Sequence, residues 1–189
     1  ATEIRKILNK FPCDEIHMDT TGLGLGLADE LAKPSIDITT GEIEPALCDV
    51  NNEEHKKEIP DGNFIIHGHK FSLDFNHQLG ISVKQNTQKR LFRLYSNEAL
   101  DNSSSSTMEE VMLLEEAERT RREIMSIEAR PRGNFLTFDV PRGGMSEGRK
   151  DRWTATALAL RGADIIEKDM FREKNDVMTL GAIGRRRFY

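Results

Sequence analysis

Residues 16–31, Ile16-His-Met-Asp19-Thr-Thr-Gly22-Leu-Gly24-Leu-Gly26-Leu-Ala-Asp-Glu-Leu31, read as a short strand, a glycine-rich turn and the start of a helix. Ile16 and Met18 alternate with His17, the period of a half-buried strand that ends on Asp19. Gly22, Gly24 and Gly26 follow, where the chain turns sharply or approaches another group closely. A carboxylate at the C-terminal tip of a strand, beside such a turn, suits divalent-cation binding or phosphate chemistry in an α/β fold. The same residues also serve as an ordinary connector, so what they do depends on what accompanies them.

On the N-terminal side, residues 2–11 form a short amphipathic helix with Ile4, Ile7, Leu8 and Phe11 on one face, stopped by Pro12. On the C-terminal side a helix runs from about Leu25 to Ala32 and ends before Pro34. Residues 35–62 are polar and punctuated by Gly41, Pro45, Pro60 and Gly62, the pattern of a surface-wrapping segment. Residues 63–67 are a strand; Leu79–Lys84 then precedes residues 88–95, which have either strand or helix character. Asp101 to Ser106 is a low-complexity loop. Thr107 with Glu110 then makes a capping box that opens a helix from Met108 to about Ala129, supported by Glu115–Arg119 and Glu118–Arg122 at four-residue spacing. Phe135–Val140 is a late strand. After the basic loop 141–150, a small-residue-rich helix starts at Asp151 and runs to about Asp169, able to lie close against a sheet. The chain beyond Lys174, ending in Arg185-Arg186-Arg187, reads as a basic tail.

The chain suffices for one domain with a modest core. Its net charge of −5 provides no global field to recruit nucleic acid, so any DNA contact depends on local basic patches. No apolar run reaches membrane-spanning length and no signal-peptide pattern opens the chain. Cys13 and Cys48 are unclustered and read as reduced thiols. His67 and His69 fall on one side of a strand, with Cys48 and His55 upstream, but that spacing matches no standard zinc pattern.

Two acids stand out by position. Asp19 ends a strand; Asp151 sits in the first turn of a helix, where the helix dipole already favours a carboxylate. If the two converge they offer oxygen ligands to a hard cation, and a pair of such ions about 4 Å apart stabilises both the attacking and leaving oxygens of phosphodiester cleavage. Arg142, Arg149, Lys150 and Arg152, with Arg130 and Arg132 nearby, would neutralise phosphates without reading sequence. No Gly-x-x-x-x-Gly-Lys-(Ser/Thr) motif occurs, which excludes a P-loop ATPase site of that type.

The Asp19-Thr-Thr-Gly-Leu-Gly turn with the following Ala-Asp-Glu-Leu resembles a motif of the nuclease domain of large terminase subunits, the DNA-packaging motors of tailed bacteriophages and herpesviruses. Lys150-Asp151-Arg152-Trp-Thr-Ala-Thr-Ala-Leu-Ala-Leu resembles that family's late acid–Arg–Ala/Leu helix, and the order of elements over most of residues 3–169 agrees. The resemblance implies an α/β, ribonuclease H-like mixed sheet flanked by helices over residues 1–170, followed by a basic tail over 171–189. It implies a metal-dependent endonuclease cutting double-stranded DNA during viral genome packaging, with Mg²⁺ or Mn²⁺ held by Asp19 and Asp151 as the second and third of three acids. It places the first acid on strands that would precede Ala1. No residue here matches that acid, which implies weak or no cutting by this chain alone unless another carboxylate, Asp139 first, stands in. Lys150 departs from the family pattern, standing where the family often has an acid. Implied partners are the ATPase part of the large terminase, the portal, the small terminase and a chain supplying the missing strands, at the packaging motor in the host cytoplasm, with neither membrane attachment nor secretion. A non-catalytic docking module and another ribonuclease H-like nuclease, such as a junction resolvase, are the alternatives.

Overall fold

The structure, a computed structural model, describes residues 1–37, 40–94, 107–141 and 150–184, with side chains as far as Phe171. The fold is mixed α/β. Its helices are α1 (Thr2–Lys10), α2 (Leu23–Leu31), α3 (Glu53–Glu58), α4 (Leu73–Gln88), α5 (Met108–Ser126) and α6 (Asp151–Gly184). Its strands are β1 (Ile16–Asp19), β2 (Ser35–Ile36), β3 (Ile43–Glu44), β4 (Leu47–Asp49), β5 (Asn63–His69), β6 (Glu128–Arg132) and β7 (Phe135–Asp139).

The central sheet has the order β1-β5-β4, with both pairings parallel. β2–β3 and β6–β7 form separate antiparallel hairpins, so among the described residues parallel and antiparallel pairing do not share the single mixed sheet that the sequence led us to expect. One face of the central sheet is apolar. Ile66 and Leu47 pack there with Leu31 of α2, and Ile4, Leu8, Ile16, Met18 and Leu27 fill the margin. Arg5, almost fully buried, closes this side by donating to the carbonyls of Leu31, Lys33 and Pro45 at 2.7–3.0 Å. It thereby satisfies carbonyls that α2 leaves open at its C-terminal end.

A second core lies where α4, β7 and α6 meet: Leu79, Val83, Phe138, Trp153, Ala157 and Leu158 are buried together. Gly80 of α4 lets Phe138 approach so closely that a methyl group there would sit 2.0 Å from its ring. The backbone N–H groups of Leu136 and Phe138 donate to His77 Nδ1 and Asn76 Oδ1, so α4 satisfies groups on β7 outside its hairpin ladder. Ser82 donates to Asp164 of α6 at 2.6 Å, and Asn86 reaches the same carboxylate at 3.3 Å. This partly buried polar link fixes the rotation of α6 about its axis.

Several expectations change. The segment 35–62 does not merely wrap the surface, because Leu47 and Cys48 are buried and β4 belongs to the central sheet. The strand at 63–67 extends to His69. The stretch 79–84 lies in α4, with buried polar residues that blur its helical period. Among the described residues of the ambiguous 88–95 only Gln88 is helical, and 89–94 form neither helix nor strand. Helix α5 ends at Ser126, and Ala129 already belongs to β6. The last helix does not stop near Asp169; its backbone continues to Gly184, so most of the expected 171–189 tail is helical. Arg142, Arg149, the 101–106 loop and the Arg185–Arg187 run lie outside the described residues.

The three glycines after β1 divide by role. Gly22 has φ +62°, a conformation costly for any side chain. At Gly24 a Cβ would meet the Asp19 carbonyl oxygen at 1.8 Å, so α2 packs directly on the strand tip. Gly26 has open space around it. Gly24→Ala should therefore destabilise the fold by about 1–3 kcal/mol through overpacking. Gly26→Ala should be neutral or stabilising by up to about 1 kcal/mol. Urea midpoints of the two variants check the contrast; equal midpoints would contradict the close approach.

Candidate functional site

β1 and β5 are in register, with His17 opposite His67 and Asp19 opposite His69. Strand alternation then puts Glu15, His17 and Asp19 on the same side as His67 and His69. That side faces α6, whose Gly162 comes so near that a Cβ would lie 2.6 Å from the His17 ring. Ile16, Met18 and Ile66 face the other way, into the apolar core.

Beyond the tip of β1 the surface opens into a cleft of about 820 Å³. Asp19, Asp139 and Asp151 line it, with Lys150, Arg132 and His17. Each acid arrives by a different route. Asp19 ends β1, and one of its oxygens accepts from the Thr21 N–H at 2.8 Å. Asp139 ends β7, which α4 holds in place. Asp151 opens α6, and the N-terminus of that helix is anchored from α5: the buried Glu123 accepts the Trp153 N–H at 2.8 Å. Asp19 and Asp151 thus line one cleft, together with Asp139, the first stand-in for the unmatched acid, but the three carboxylates do not all lie within 4.8 Å of one another.

The basic residues separate. Lys150 lines the cleft, where its ammonium donates to the Phe138 carbonyl at 3.2 Å and lies 3.5 Å from Asp139. Arg132 lines it too. Arg152, expected to contact DNA, is turned toward α5, where Glu116 binds its guanidinium and Glu123 lies at 3.6 Å. That hydrogen bond holds the Glu116 carboxyl below its ordinary pKa. The physical reason is local: the residue after Asp151 on a helix points away from Asp151, and α5 supplies the nearest carboxylates. Arg130 pairs with Glu128 on its own strand.

The histidines also rearrange the sequence reading. His67 and His69 do share one side of β5, but Cys48 and His55 are not their companions. Cys48 is fully buried beside Gly62 among Ala32, Ala46, Ile59 and Phe64, and this burial raises its thiol pKa. His55 accepts the Asp49 N–H at 3.3 Å. The true companions are Glu15 and His17. His17 Nε2 lies 2.8 Å from Glu15, its Nδ1 lies 2.9 Å from His69 Nε2, and His67 Nε2 lies 3.6 Å from Glu15. The three imidazoles stack nearly parallel, at 4.7 and 5.2 Å from the His17 ring, and His69 continues onto Phe75 at 4.9 Å. Burial, reinforced by the neighbouring His17 and His67, holds His69 below the usual histidine pKa. The sequence carried one signal for this group, the alternation Glu15-x-His17-x-Asp19 beside His67-x-His69, which has meaning only once the two strands are paired in register.

No known family's model matches this sequence, and no curated protein or solved structure matches it. Among the described residues no helix is long and apolar enough to cross a membrane.

The anchoring of α6 gives a direct test. Glu123→Ala removes the acceptor for the Trp153 N–H and a partner of Arg152, and should cost about 1.5–3 kcal/mol of stability. Chemical denaturation measures the loss, and an unchanged unfolding midpoint would mean that α6 is held by other contacts.

Proposed function

We propose that the chain is the nuclease part of a viral DNA-packaging terminase, with a ribonuclease H-like fold, that cuts double-stranded DNA with divalent metal. The observation that carries this reading is that Asp19, Asp139 and Asp151, from a strand tip, a hairpin end and a helix start, line one open cleft, with their carboxylates not all within the 4.8 Å that would group them around a single ion. Oxygen donors of this kind suit Mg²⁺ or Mn²⁺, which take few protein carboxylates and keep several waters. Asp19 and Asp151 would hold the ion, and Asp139 would be the third carboxylate. A bound ion of this class polarises a phosphodiester and lowers the pKa of water.

The residues themselves divide the remaining work. Lys150 and Arg132 bring positive charge to the carboxylate cleft, where a phosphate would otherwise be repelled. Trp153, buried and stacked on Phe138 at 6.0 Å between centroids, stiffens the first turn of α6 and so the position of Asp151. The packaging ATPase, portal and small terminase would be the partners, and the infected cell's cytoplasm the setting.

A second reading, a non-catalytic assembly module, draws on the pairing of Lys150 with Asp139. An ammonium 3.5 Å from a carboxylate competes with a cation for it. Metal titration separates the two readings. Mn²⁺ affinity of the chain should fall at least ~10-fold in Asp19→Asn and in Asp151→Asn, as expected when one of few charged ligands is lost, and Mn²⁺-dependent nicking of plasmid DNA should disappear in both. Wild-type affinity and nicking in either variant would overturn the nuclease assignment. Asp139→Asn should weaken Mn²⁺ binding as well; if it does not, the third acid comes from elsewhere.

A further inference from the structure

The Glu15, His17 and His67 group lies beside the carboxylate cleft but has different chemistry. Its three ligand atoms, one from each residue, all lie within 4.8 Å of one another, and all three residues are partly buried. Zinc–ligand bonds of about 2.0–2.1 Å put tetrahedral neighbours roughly 3.3 Å apart. Glu15 Oε2 lies 2.8 Å from His17 Nε2 and Glu15 Oε1 lies 3.6 Å from His67 Nε2, one span on either side of that spacing. Two imidazole Nε2 atoms therefore converge on the two oxygens of one carboxylate.

We propose that Glu15, His17 and His67 bind a divalent ion of the zinc class, through two Nε2 atoms and a carboxylate, at a site that adjoins the Asp19–Asp151 cleft at His17 and uses none of the cleft's acids. The donor set selects the metal: imidazoles suit zinc, cobalt, nickel and copper, whereas magnesium and calcium want oxygen. The surroundings complete the site. With His17 Nε2 on the ion, its Nδ1–H faces His69 Nε2 at 2.9 Å, the outer hydrogen bond that fixes a ligating imidazole's tautomer and ring plane. Gly162 closes the site on the α6 side, and the side chains of Glu15 and His67, 24% and 27% exposed, leave an approach from solvent.

The placement also explains an oddity of the fold. The face of β1 and β5 beneath α6 carries three imidazoles and a carboxylate where a half-buried strand pair ordinarily carries aliphatic residues. A cation held between Glu15, His17 and His67 compensates that burial. It also cross-links β1 to β5, which pair over only four residues, two positions before Asp19.

The test uses the whole chain, stripped with chelator and titrated with Co²⁺, whose visible absorption reports ligand type, followed by displacement with Zn²⁺. One equivalent should bind, Zn²⁺ should displace it, and saturating Zn²⁺ should raise the melting temperature by roughly 5 °C or more. Affinity should fall at least ~10-fold in His67→Ala and in Glu15→Gln, both changes at solvent-reachable positions, with circular dichroism confirming the fold. Asp151→Asn should bind Co²⁺ as the wild type does. Absence of a saturable band in the wild type would overturn the proposal, and so would unaltered affinity in both ligand variants. Loss of binding in Asp151→Asn would also overturn it, by moving the ion into the carboxylate cleft. Because the nuclease reading is tested with Mn²⁺ at Asp19 and Asp151, either proposal can fail alone.

Discussion

β1 and β5 lie parallel with Ile16 opposite Ile66 and Asp19 opposite His69, and this register determines what each side of the central sheet must meet. On one side it stacks aliphatic residues against Leu31 and Leu47, where burying Ile66 contributes about 1.5–3 kcal/mol. On the other it stacks imidazoles, a carboxylate and the strand-tip acid. A slip of one residue would exchange the two faces, sending histidines into the apolar core and aliphatic residues beneath α6. The hydrophobic pattern therefore specifies the register, and the register assembles the polar face as a consequence.

That polar face constrains α6 in turn. A helix can lie on bulky imidazole rings only where it lacks a side chain, and Gly162 provides the gap over His17. Two residues further along, Asp164 projects to the other side of the helix and takes hydrogen bonds from Ser82 and Asn86 of α4. The rotation of α6 is thus set from both sides. Its start is set independently by Glu123 of α5, so Asp151 is positioned by three neighbouring elements although it is itself exposed.

What the sequence made legible was local. The stop at Pro12, the strand ending on Asp19, the capping box at Thr107 and the helix start at Asp151 all rest on signals within a few residues, and each element occurs where those signals put it. Helix α4 leaves no clear periodic signal because its inner face carries Gly80, Ser82 and Asn86 as well as Leu79 and Val83, and buried polar residues erase the apolar period. β4 was missed because three residues are too few to show alternation. Long-range partners were out of reach altogether. Nothing near Arg152 announces that Glu116 will bind it, and nothing near His67 announces His17. Asp19 and Asp151 could be singled out because strand tips and first helical turns are recognisable positions; that they share a cleft is a property of the fold.

The two donor groups differ in what would compete with an ion at each. In the cleft, carboxylates stand among Lys150 and Arg132, so a hard cation bound there as proposed would compete with protein ammonium and guanidinium groups. Beneath α6 no lysine or arginine pairs with Glu15 among the described ion pairs; its neighbours are His17 and His67, which ligate only when neutral. The first arrangement suits an ion that must exchange during a reaction, and the second suits one that stays. One helix spans both, beginning at Asp151 and covering His17 at Gly162, about 16 Å further along its axis. An ion held by Glu15, His17 and His67 would therefore brace β1 against β5 two positions before Asp19, on the sheet side of the cleft, while α6 delivers Asp151 from the other side.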